Sequence, residues 1–160
     1  MIKGFCKQGN IERALVLLED MNKVKIKPDE VLFNSLLDGC CRVNLIDVGL
    51  MVYRNMIREK IKPSNVTFSI LIKINGKSGD LMKALGVFEE MKKMGVQAGL
   101  IVYTCLIQTC IRHGDIRTAQ SIYEEMNNSK GIKGDQLTYS TLINGWLQSQ
   151  DSLPIEEVKH

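Results

Sequence analysis

Methionine returns at Met21, Met56, Met91 and Met126, each 35 residues after the one before. Phe33, Phe68, Tyr103 and Tyr139 follow in phase, with steps of 35, 35 and 36. Lys27-Pro28-Asp29 returns as Lys62-Pro63-Ser64, decays to Gln97-Ala98-Gly99 and ends as Lys133-Gly134-Asp135. Several series sharing one period mark a repeat architecture, in which each unit packs on neighbours of its own kind. Repeats begin at Glu30, Asn65, Leu100 and Gln136. This divides the chain into a truncated first repeat (1–29), three whole ones (30–64, 65–99 and 100–135) and an incomplete last repeat with its tail (136–160). The one-residue excess of the third interval is placed in the polar stretch 127–130. Half-repeats at both ends lead to the expectation that the chain is a piece of a longer array.

Within each unit the apolar pattern is helical twice over. Ile46, Gly49, Val52, Tyr53 and Met56 follow a three-and-four spacing, and the same offsets give Leu81, Ala84, Val87, Phe88 and Met91. An earlier stripe, Phe33, Leu36, Leu37 and Cys40, has a later copy in Tyr103, Leu106, Ile107 and Cys110. Gly9, Asn44, Gly79 and Gly114 divide the halves, and Gly and Asn best adopt the left-handed conformation that ends a helix. Asn10, Asp80 and Asp115 come next as good N-caps, whereas Leu45 breaks the pattern. Pro28 and Pro63 mark the loop out of the second helix. The small residue at Ala14, Gly49, Ala84 or Ala119 admits a close helix neighbour. The expected fold is all-α: a right-handed α-solenoid of stacked helix–turn–helix repeats.

A second stripe has no use in that core. At about 100° per residue, the second, fifth, ninth and thirteenth places of a repeat fall within roughly an 80° sector. The second place is always aliphatic, at Val31, Val66, Ile101 and Leu137. The fifth is always a small hydrogen-bonding residue, at Asn34, Ser69, Thr104 and Ser140. The thirteenth is basic at Lys7, Arg42, Lys77 and Arg112. Second helices carry acidic pairs at Glu19-Asp20, Glu89-Glu90 and Glu124-Glu125. A net charge of only +3 therefore conceals a segregation that draws a polyanion to the basic face.

Other classes fall away on chemistry. The longest apolar run, Ala14 to Leu18, has five residues, against roughly 20 for a bilayer crossing, so no membrane partner is expected. The five cysteines form no Cys-x-x-Cys pair and the two histidines lie far apart, so neither metal nor cofactor is expected. An odd cysteine count points instead to reduced, buried thiols. No spacing of Ser, His and Asp nominates a catalytic triad.

The sequence resembles the pentatricopeptide repeat (PPR) family over essentially its whole length. The resemblance rests on the 35-residue unit and on segments such as Gly4-Phe5-Cys6-Lys7, Leu85-Gly86-Val87-Phe88 and Ile26-Lys27-Pro28-Asp29. Leu137-Thr138-Tyr139-Ser140-Thr141-Leu142-Ile143 matches too, and uniform repeat length is similar to the P-type subclass. This implies sequence-specific binding of single-stranded RNA, one base per repeat. The fifth and last residues of a repeat would read the base, pairing Asn34 with Ser64, Ser69 with Gly99 and Thr104 with Asp135. Ser140 and Asp29 lack partners within the chain. Val31, Val66, Ile101 and Leu137 would sandwich bases, and Lys7, Arg42, Lys77 and Arg112 would meet phosphates. Asp135 can only accept a hydrogen bond, which suits the imino N–H of guanine or uracil, and Thr104 is associated in the family with purines, which implies guanine. Asn34 is associated with pyrimidines, and a donating Ser64 suits cytosine. Gly99 has no side chain to read with, so the expected core is cytosine, any base, guanine, read 5′ to 3′ from the N-terminal side.

The resemblance also implies a mitochondrial or plastid location and a role in RNA stability, processing, splicing or translation. The family's deaminase tail needs His-x-Glu and Pro-Cys-x-x-Cys; neither occurs, so no enzyme is expected. The alternative is a protein-binding scaffold similar to the tetratricopeptide repeats. Against it stand the 35-residue unit, the recurring methionine and the Pro-Asp ending. Exposed apolar ends leave room for protein partners or end-to-end self-association.

Overall fold

The computed structural model describes Gly4, residues 10–129 and residues 131–148. Eight helices are defined there: α1 (Ile11–Lys23), α2 (Glu30–Arg42), α3 (Ile46–Arg58), α4 (Asn65–Lys77), α5 (Leu81–Lys93), α6 (Leu100–Arg112), α7 (Ile116–Asn128) and α8 (Gln136–Gln148). Each is 13 residues long. The helices that open a repeat start at Glu30, Asn65, Leu100 and Gln136, where the sequence period sets its units.

Two kinds of turn space them. Inside a repeat, Asn44, Gly79 and Gly114 take the left-handed conformation at φ 61°, 80° and 75°. The next helix is then capped by Asp80, which accepts from the Lys83 amide at 3.1 Å, or Asp115, which accepts from Thr118 at 3.0 Å. Leu45 offers no side-chain cap. Between repeats a second left-handed residue appears, at Lys25, Lys60, Gly95 and Gly131. Here the amide of Ile26, Ile61 or Val96 reaches back to the carbonyl of Met21, Met56 or Met91 at 2.9, 3.1 and 3.1 Å. This six-to-one bond closes the helix end. The extra residue of the last interval falls at this turn. Ser129 leaves α7 with ψ 127°, whereas Glu59 and Met94, at the same place, hold ψ 4° and 0°.

The chain forms two compact units, residues 1–97 and 98–160. In the first, α2 packs on α1, α3 and α4, and α4 also meets α3 and α5. In the second, α6, α7 and α8 all pack on one another. Phe33, Leu36, Leu37, Cys40, Phe68, Leu71 and Ile72 fill the first core; Tyr103, Leu106, Ile107, Cys110, Ile122 and Met126 fill the second. Gly49 shows why the small place is small: a Cβ there would lie 2.9 Å from Ile74 Cδ1 and 3.4 Å from Cys40 Cβ. Tyr53 on α3 ties consecutive second helices by donating to Glu90 on α5 at 2.8 Å. Tyr139 departs from its series. It is exposed, and its ring meets Tyr123 edge-on at 6.0 Å.

The described cysteines, Cys40, Cys41, Cys105 and Cys110, are buried thiols. Burial first, and the Asp115 charge second, push the Cys110 thiol up to about 12.

Lys60 holds φ 59° where Gly95 serves the equivalent turn. A left-handed side chain costs about 1–2 kcal/mol, partly offset by the greater chain entropy of glycine when unfolded. Lys60→Gly is therefore expected to stabilise the chain by about 0.5–1 kcal/mol, measured as a raised urea midpoint at unchanged slope.

Candidate nucleic-acid interface

The first helix of each described repeat leaves the aliphatic side chain at its second residue uncovered. Val31, Val66, Ile101 and Leu137 are 65%, 47%, 46% and 54% exposed, although residues two places on, at Phe33, Phe68 and Tyr103, are buried. Exposed aliphatics at one place in every described repeat are not explained by the core.

The last residue of a repeat proves to be the N-cap of the following helix. Asp29 caps α2 by accepting from the Leu32 amide at 2.8 Å. Ser64 caps α4, accepting from the Val66 amide at 3.2 Å, while the Ser64 amide donates to Thr67 Oγ1 at 3.2 Å. Asp135 accepts from the Thr138 amide at 2.8 Å and from its hydroxyl at 2.7 Å, both on Oδ1. Gly99 caps nothing through a side chain. The fixed place of these residues thus follows from helix-end chemistry, which requires a short polar side chain there.

Within the first unit, the third-place residue of one repeat links the two residues expected to read a base. Thr67 Oγ1 donates to Asn34 Oδ1 at 2.8 Å, and Asn34 Nδ2 donates to Glu30 Oε1 at 3.0 Å. The Ser64 hydroxyl also donates to Glu30 Oε1. This differs from a Ser64 proton directed at a base. In the second unit Thr138 plays the same part, lying 3.1 Å from Thr104 Oγ1 while it donates to Asp135. Thr104 is 7% exposed and also meets the Leu100 carbonyl at 2.9 Å. The Thr138 hydroxyl and then its amide hold the exposed Asp135 carboxyl below its usual range, keeping it an acceptor. Ser69, 1% exposed, donates to the Val66 carbonyl at 2.8 Å and offers nothing to solvent. Ser140 is exposed and donates to the Leu137 carbonyl at 3.1 Å.

Arg42, Lys77 and Arg112 each occupy the final residue of a helix, where a cation also complements the helix dipole. All three are exposed. Arg42 Nε pairs with Asp38 at 3.2 Å, and Lys77 Nζ donates to the Cys41 carbonyl at 2.6 Å. Lys7 lies outside the described residues. The acidic pairs on second helices are partly neutralised, with Lys23 on Asp20 at 2.8 Å and Lys92 on Glu89 at 3.3 Å. No group of three or more His, Cys, Asp and Glu side chains could hold a metal among the described residues. No described helix is long and apolar enough to cross a membrane.

Glu30, Thr67 and Thr138 were not singled out by the sequence pattern. The spacings Ser64-x-x-Thr67 and Asp135-x-x-Thr138 are their visible trace, the first forming a capping box.

Helical hairpins built from 13-residue helices, with an uncovered aliphatic at the second residue of each described first helix, define an all-α helical-repeat solenoid protein. Sequence comparison is more specific. The PPR repeat family matches residues 1–42, 28–75 and 98–147, and the PPR repeat matches 66–96. The chain belongs to the PPR family. Among curated proteins, none matches the sequence. Among solved structures, the pentatricopeptide repeat protein PPR10 in complex with an 18-nt psaJ RNA element is 25% identical over 88% of this chain, with TM-score 0.78. PPR10 from maize is 27% identical over 91% of the chain, with TM-score 0.71. The chain spans about a fifth of PPR10, 20% and 21% in these two structures. The PPR domain of Arabidopsis thaliana protein-only RNase P 1, in complex with tRNA, shares the fold at 21% identity and TM-score 0.73, over 91% of this chain and 77% of that one.

Because the Thr138 hydroxyl is the leading cause of the lowered Asp135 pKa, Thr138→Val should move that carboxyl up toward its ordinary value. Val102 occupies the same place in the preceding repeat, so valine fits. A carboxylate with a depressed folded pKa contributes stability above its unfolded value near 4 and loses it as pH falls through the folded pKa. The Tm advantage of the native chain over Thr138→Val should therefore shrink below about pH 4, with Asp135 followed by NMR titration.

Proposed function

We propose that the chain binds single-stranded RNA, with one base facing each repeat. The observation that carries this reading is the exposure of Val31, Val66, Ile101 and Leu137 beside capped polar residues and helix-end cations. An aliphatic edge left in water serves a flat apolar ligand, and a nucleobase supplies two such faces. Val31 and Val66 would hold the base that Asn34 and Ser64 read; Ile101 and Leu137 would hold the base that Thr104 and Asp135 read. The lowered pKa of Asp135 supports a carboxylate that accepts from the imino N–H of guanine or uracil, and the family association of the Thr104 place with purines favours guanine. The buried Ser69 and the side-chain-free Gly99 support a middle repeat that reads nothing. The target is then pyrimidine, any base, guanine, 5′ to 3′ from the N-terminal side. PPR10 and the RNase P domain, each solved with RNA, add family support. A mitochondrial or plastid setting, with a role in RNA stability, processing, splicing or translation, is proposed on family membership.

Selection from a randomised single-stranded RNA pool is expected to return guanine two nucleotides 3′ of a pyrimidine. A pool with no base enriched at either place overturns the reading. Arg112→Ala is expected to weaken all sequences alike and reduce the slope of log K against log salt by about 0.7, the share of one phosphate on a single strand. A change in base preference instead would remove Arg112 from the phosphate contacts.

A further inference from the structure

We propose that Lys73 is a phosphate contact, and that the repeat reading no base is the one that grips the strand. This rests on the RNA-binding reading above. The second, fifth, ninth and thirteenth places share one sector of a first helix, and the ninth holds Asp38, Lys73 and Gln108. Of α2, α4 and α6, α4 alone carries two cations there, Lys73 and Lys77. They stand one turn apart, with about 5–6 Å between their Cβ atoms, and both are exposed. Like charges at that spacing destabilise a helix. In α2 the same two places hold Asp38 and Arg42, joined at 3.2 Å. In α4 no acid answers. Lys77 Nζ donates to the Cys41 carbonyl at 2.6 Å, and Lys73 makes no hydrogen bond or ion pair among the described residues.

A local rule broken without compensation inside the fold is the mark of a functional position. An ammonium on a neutral carbonyl keeps its charge and two further protons, so Lys77 stays available to an anion beside Lys73. The exposed Val66 edge lies in the same sector, and the ligand that answers both is a phosphate with a flat apolar group attached. The two repeats spend their charge differently. A phosphate that reaches Arg42 meets the Asp38 carboxylate beside it, whereas one that reaches Lys77 meets a second cation. Ser69 is buried and Gly99 has no side chain, so the same repeat gives no base a hydrogen bond. Its contribution is charge.

The test uses the intact chain and labelled single-stranded RNAs that differ in sequence, titrated at several salt concentrations. Lys73→Gln, which copies Gln108, is expected to weaken every sequence alike, about fivefold near 0.1 M salt. It should reduce the slope of log K against log salt by about 0.7, the share of one phosphate. Lys73→Asp, which copies Asp38 and gives Lys77 a partner, is expected to weaken binding further while its urea midpoint rises. Binding and stability then move in opposite directions, which a lysine kept for the fold would not do. Lys93→Gln removes an exposed cation from the second helix α5 and is expected to leave the slope unchanged. An unchanged slope in Lys73→Gln, an equal fall in Lys93→Gln, or a changed base preference overturns the role of Lys73 while the native chain still binds RNA. A urea midpoint lowered in both Lys73 variants overturns it too. A native chain that binds no single-stranded RNA overturns the RNA reading, and this inference with it.

Discussion

Helices of 13 residues are about 20 Å long and do not persist alone in water. Everything else depends on that shortness. Each helix must bury its stripe against a neighbour, and the neighbour must arrive at a fixed distance along the chain. The two left-handed turns supply the distance. One folds α2 onto α3 through Asn44, and the other returns the chain past Lys60 to start α4. At Met56 and Met91 the methionine carbonyl anchors the second turn while the side chain fills the core. One residue thereby sets both where a repeat ends and what it packs against.

The same economy extends to the entry of each first helix. Ser64 and Asp135 satisfy the orphan amides at a helix start, and the threonine three residues on locks each of them to the fifth residue of the repeat before. The polar surface of a repeat is therefore a hydrogen-bonded unit rather than loose side chains. Middle-repeat residues lack its parts: Val102 has no hydroxyl and Gly99 no side chain.

Much of this was legible in the residues. The period located the starts of α2, α4, α6 and α8, and the three-and-four spacing named the core through Phe33, Leu36, Leu37 and Cys40. The turn at Asn44 and the uncapped Leu45 also read correctly, because both are local effects of backbone conformation. What escaped was long-range or atypical. Lys25 and Lys60 adopt positive φ without the glycine that announces it, since the turn is imposed by packing on either side. Glu30 read as one more surface charge, because its partners, Asn34 and Ser64, meet it only once α2 and α4 lie together. Lys77 read as a bare cation, and folding brings it to the Cys41 carbonyl of the helix before.

The doubling of helix cap and base contact in one side chain has an evolutionary corollary. Any residue recruited to the Ser64 or Asp135 position must first close a helix, so the vocabulary there is confined to a few short polar types. Aspartate, asparagine and serine interchange at little cost, and they differ in the protons they offer or take. Retargeting can then proceed by single substitutions within that set, each intermediate still folded. Long or apolar side chains are closed to it, whatever base they might have suited.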